Sequence, residues 1–100
     1  MTHADALFSI TRSLWERLTV EMRGVAYLLD DSTLTVRFLL ASEPDEETLE
    51  LISEAEAECL ADFWPTHQVS YVAEHLPKDD VRQLRPGERW VIIRYESALA

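Results

Sequence analysis

Residues 25–63, VAYLLDDSTLTVRFLLASEPDEETLELISEAEAECLADF, change their hydrophobic period halfway along. The first part holds two runs, VAYLL and TLTVRFLLA, rich in β-branched, aromatic and aliphatic side chains and separated by the polar Asp30-Asp31-Ser32. Two such runs around a short polar link predict a β-hairpin. In the second run Leu34, Val36, Phe38 and Leu40 share one face, and Thr33, Thr35 and Arg37 share the other, so one face is covered and the other mostly wet. Val25, Tyr27 and Leu29 alternate with Ala26 and Leu28, so the first run is apolar on both faces and suits a central strand or an interface. After Ser42 the spacing becomes helical. Leu49, Ile52, Ala55, Cys59, Leu60 and Phe63 form a stripe. Ser42-Glu43-Pro44-Asp45 has the pattern of a capping box, and Trp64-Pro65 stops the helix.

Outward from this stretch, residues 4–22 show a second helical spacing. Leu7, Ile10, Leu14 and Leu18 lie on its stripe, with Trp15 and Met22 on the flank. Thr2 with Asp5 suits its start, and Gly24 suits a left-handed position just past its end. On the other side, residues 68–76 and 89–95 read as strands joined by the polar PKDDVRQLRPGE, which is long for a plain hairpin. The order is α-β-β-α-β-β. The economical packing is an α+β domain: one four-stranded antiparallel sheet with two helices packed on one face. One hundred residues suit a single domain, residues 1–100.

Nineteen acids against nine Lys and Arg give a net charge of −10, which argues against direct nucleic-acid binding, because phosphate contacts need cations. A basic protein partner gains from such a field. Much of the charge is concentrated. From Glu43 to Asp62 the chain carries Glu43, Asp45, Glu46, Glu47, Glu50, Glu54, Glu56, Glu58 and Asp62, and no Lys or Arg. At 100° per residue, Glu47, Glu50, Glu54, Glu58 and Asp62 point away from the apolar stripe. Glu46, Glu50, Glu54, Glu58 and Asp62 form an i, i+4 ladder of like charge that costs roughly 1 kcal/mol in total. A helix selected for stability alone would intersperse Lys. The face is therefore the candidate partner-binding surface, with Trp64 at its end as an aromatic anchor; a merely solvated face and a core tryptophan are the alternatives.

Glu56 is the exception among these acids, since helical geometry places it inside the apolar stripe. A carboxylate there needs a partner, for which Arg37, Arg17 or His75 are candidates; Glu56 and Arg37 are the expected buried ionisable groups. A general acid built from Glu56 with His75 or Arg37 is the enzymatic alternative. Other chemistry finds little support. His3, His67 and His75 are dispersed and Cys59 has no companion, so no metal site and no cofactor are expected. Gly occurs only at 24 and 87, which leaves no phosphate loop, and Ser9, Ser13 and Ser53 lack a glycine-flanked elbow. A lone Cys59 in a helical stripe reads as a buried thiol. The N-terminus lacks the pattern of a signal peptide and no apolar run reaches about 20 residues, so a cytoplasmic protein without membrane contact is expected.

The segments TVRFLLASEPDEETLELISEAEAECLADF, VSYVAEHLP and GERWVIIRYE together resemble small bacterial proteins associated with colicin-type and contact-dependent inhibition immunity. The residues that carry the resemblance are Arg37-Phe38, Ser53, Glu56, Glu58 and Ala61-Asp62-Phe63, within residues 25–95. It implies an α-β-β-α-β-β fold and binding to a cognate toxin, often a nuclease. The leading expectation is therefore a non-enzymatic immunity-type protein that binds and neutralises a basic toxin domain. The alternative is a structural or regulatory homodimer, joined through the first strand and RWVIIRY at sheet edges.

Overall fold

A computed structural model describes residues 1–96; residues 97–100, the end of the expected domain, lie outside the described residues. The elements are α1 (His3–Ser13), β1 (Met22–Leu29), β2 (Thr33–Leu40), α2 (Glu46–Phe63), β3 (Gln68–His75) and β4 (Arg89–Ile93). Their order is the expected α-β-β-α-β-β.

The sheet is mixed, not antiparallel throughout. Its order is β3-β2-β1-β4, with β1 antiparallel to β2 and β4, and β2 parallel to β3. The reason lies in α2. Eighteen helical residues rise about 27 Å, close to the roughly 26 Å spanned by an eight-residue strand. The helix therefore returns the chain to the level where β2 began, and Gln68 pairs with Thr33 in a parallel register that runs to His75 beside Leu40. This is a β-α-β crossover, the connection parallel neighbours require. β1 lies between β2 and β4, so it offers no edge, and the homodimer joined through that strand is ruled out by the topology; the edges are β3 and β4.

Both helices pack on one face of the sheet. Ala6, Ile10 and Leu14 from the first segment and Ile52, Ala55 and Cys59 from α2 share a core with Val25, Tyr27, Leu34, Val36, Phe38, Leu40, Val69 and Tyr71. The opposite face is not wet. Residues 76–88 cross it on the way from β3 to the far edge, which explains the length of that connection. Beneath it Arg37 donates to the Gln83 carbonyl at 2.9 Å and to Glu88 at 2.7 Å, while Ala26 and Leu39 are buried. Arg23, also buried, holds the start of the same strap through the carbonyls of Leu76, Pro77 and Asp80.

The first helix is shorter than its periodicity predicts. Thr2 and Asp5 form a reciprocal capping box, but the helix ends at Ser13, and Glu16 follows with φ of 62°. Met22 and Gly24 belong to β1. Gly24 is not a helix cap; it is needed because a Cβ there would meet the Trp90 ring at 2.9 Å. The second helix also starts later than its sequence suggests. Asp45 is the N-cap and accepts the Thr48 N–H at 2.8 Å, whereas the Ser42 hydroxyl donates to Glu21.

Candidate partner-binding surface

Four residues at helical spacing, Thr48, Ile52, Ala55 and Cys59, form the buried line of α2. Leu49, assigned to the stripe from sequence, is instead exposed, and Thr48 takes the inner place. Burial pushes the Cys59 thiol up, which keeps it protonated and inert. The carboxylates occupy the opposite side, but they do not form one uniform surface.

The C-terminal part of the ladder is bridged to the first helix and the turn after it. Arg17 lies between Glu54, 3.6 Å from its Nε, and Glu58, paired with its Nη1. Arg12 pairs with Asp62. Asp62 also accepts the Ser9 hydroxyl at 2.5 Å, and this bond, followed by the Arg12 charge, holds its carboxyl below the usual range. The compensating bases missing from the sequence of α2 are thus supplied by residues 12 and 17. The N-terminal part differs. Glu46, Glu47 and Glu50 are exposed and make no ion pair among the described residues. Glu43, just before the helix, faces His75 at 3.0 Å.

Glu56 is half-buried, and its partner is none of the three cations considered. Its Oε2 accepts the backbone N–H of Tyr71 at 2.7 Å. Tyr71 lies in the edge strand β3, so the carboxylate occupies a donor the edge would otherwise present. Arg37 points to the other side of the sheet, where its guanidinium sits on Glu88 with Glu74 at 3.5 Å and holds the Glu88 carboxyl low. His75 is taken by Glu43. The enzymatic grouping of Glu56 with His75 or Arg37 is therefore not assembled. Among the described residues no cluster of His, Cys, Asp and Glu could hold a metal ion, and no helix is long and apolar enough to cross a membrane.

Trp64, the C-cap of α2, is 72% exposed. Phe8 and Trp15 are as exposed, although helical spacing puts Trp15 on the flank of the buried stripe and gives no role to Phe8. The available signal was the line of Ala6, Ser9, Ile10 and Ser13. Ser9 on this line meets Cys59 and Asp62 of α2, and the burial of the whole line turns Leu7 and Phe8 outward.

The molecule therefore presents carboxylates and aromatics on the outer side of its two helices. The chain belongs to the MafI2 immunity protein family, whose model matches residues 3–96. Among curated proteins none matches it.

Proposed function

We propose that this protein is an immunity inhibitor that neutralises a cognate toxin by binding it, without catalysis of its own. The family match across residues 3–96 carries this reading. The net charge of −10 favours a toxin domain with a basic surface, such as a nuclease uses to hold a phosphate backbone. In this reading Glu47 and Glu50, with Glu46, make the first electrostatic contacts, since no cation among the described residues pairs with them. Glu54, Glu58 and Asp62 form the adjoining rim, where Arg12 and Arg17 already lower the net charge, and Trp64 supplies apolar area at its end. A polyanionic helix in a nucleic-acid groove would block substrate directly.

The test is titration of the purified toxin domain encoded beside this chain, with its activity silenced by mutation. Tight equimolar binding, together with loss of toxicity in cells expressing both proteins, is the expected result. Absence of binding to that domain would remove the inhibitor reading.

A further inference from the structure

The solvent-facing line of α1 is uncharged and carries large aromatics where a surface helix is ordinarily charged. The buried positions Ala6, Ser9, Ile10 and Ser13 set the inner side, and Ala4, Phe8 and Thr11 follow the opposite side at helical spacing, with Trp15 just beyond the helix end. No residue on that line is charged, in a chain that is 28% charged. Phe8 is 72% and Trp15 75% exposed, with Leu7 exposed beside them. Phe8 also borders a groove with Asp5, Ser9, Arg12, Asp62 and Phe63.

The turn after α1 maintains this display. Glu16 adopts φ of 62°, a left-handed conformation that a non-glycine residue enters at a cost of about 1 kcal/mol. Across it the chain divides its side chains. Arg17 folds back to the Ser13 carbonyl and to Glu54 and Glu58, while Trp15 is left in solvent.

We propose that the outer face of α1, anchored by Phe8 and Trp15, is the apolar centre of the toxin-docking interface, and that its occupant is an apolar cleft of the toxin rimmed by Lys and Arg. This rests on the immunity reading above. Two buried aromatics contribute on the order of 300 Å², a large share of the roughly 800 Å² that one partner gives to a standard interface. The rim carries Asp5 and Glu16, with Arg12 neutralised by Asp62 beside Phe8, and the net charge of −10 means a second copy of this chain would bring like-charged rims together. A basic partner gains where a second copy is repelled.

The experiment compares wild type, the double variant Phe8→Ala/Trp15→Ala and the double variant Glu47→Lys/Glu50→Lys for binding to the silenced toxin domain by surface plasmon resonance. The aromatic variant is expected to bind about 30-fold more weakly or worse, chiefly through faster dissociation, with an unchanged circular dichroism spectrum and Tm. A folded aromatic variant that binds within about 3-fold of wild type overturns the α1 docking face while leaving toxin binding intact. No binding by wild type overturns the immunity reading itself. Tryptophan fluorescence gives an independent readout in a Trp64→Phe background. Toxin should shift the emission to the blue, and the further substitution Trp15→Phe should remove that shift; an unshifted spectrum counts against the proposal. Wild type that sediments as a dimer, with a monomeric aromatic variant of undiminished toxin affinity, would assign the face to self-association instead.

Discussion

Glu56 accepts an amide hydrogen from the sheet's edge strand, and that bond is the reason a carboxylate is tolerated in the inner half of α2. A net contribution of about 1–2 kcal/mol is the ordinary value for such a bond when its loss strands a partly buried donor. Glu56→Ala should therefore lower the unfolding free energy by that amount, read as a lower urea midpoint at unchanged slope. Glu56→Gln, which keeps an acceptor oxygen, should lower it less; equal losses would show that packing, not the hydrogen bond, matters. Glu88 is the pH-sensitive counterpart on the other face. Arg37 holds its folded carboxyl below the ordinary value of 4.5, so the unfolded chain binds the proton first as pH falls. The stabilisation is then complete above about pH 4.5 and is lost as pH drops through the lower folded value. Glu88→Gln should cost about 2 kcal/mol near neutrality, because Arg37 stays buried with a weaker partner, and the gap to wild type should close in acid. Denaturant curves across that range check the sign, and a gap that widened in acid would contradict it.

At the scale of elements, α2 performs two tasks. Its length sets the parallel register of β3, and its outer face carries the acids. The clustering of Asp45, Glu46 and Glu47 at its start suits the positive end of the helix dipole, so the like-charge repulsion of the ladder is partly offset there. Farther along, Arg17 and Arg12 offset it across the α1–α2 contact. Gly24 plays the equivalent role between β1 and β4. A methyl group at 2.9 Å from the Trp90 ring would force the tryptophan outward, so Gly24→Ala should destabilise by about 1–3 kcal/mol. A thermal melt detects this, and a Tm equal to that of wild type would mean the ring moves without penalty.

For the whole molecule the deciding quantity is where uncompensated charge lies. Reversing Glu47 and Glu50 should slow association with a basic toxin and flatten its salt dependence, with only a modest drop in Tm from placing Lys at the start of the α2 dipole, because no ion pair among the described residues is lost. Raising NaCl from about 50 to about 500 mM should slow the wild-type on-rate and leave dissociation nearly unchanged. Reversing Glu58 is a different experiment, since it sets Lys against Arg17 and loosens α1 from α2. A slower on-rate for Glu58→Lys accompanied by a lower Tm would reflect that loosening, whereas Glu47 and Glu50 hold no contact between α1 and α2.

Much of the chain's organisation follows from local chemistry. The period of 2 from residue 33 and the helical period after Ser42 identify β2 and α2, although α2 itself begins at Glu46, and Thr2 with Asp5 marks the start of α1. These were legible because side-chain periodicity and capping act over a few residues. Three features were not. The parallel pairing of β2 with β3 depends on matching the length of a helix to that of a strand, which no window within either element contains. The end of α1 at Ser13 follows from Glu16 and from Arg17 reaching carboxylates about forty positions away, and the apolar spacing of Leu14 and Leu18 runs straight past it. The division of the acidic face is the third. The sequence by itself determined that α2 lacks a compensating base, but only tertiary structure decided which carboxylates go without one, because the guanidinium groups that neutralise Glu54, Glu58 and Asp62 arrive from a segment remote along the chain yet adjacent in space.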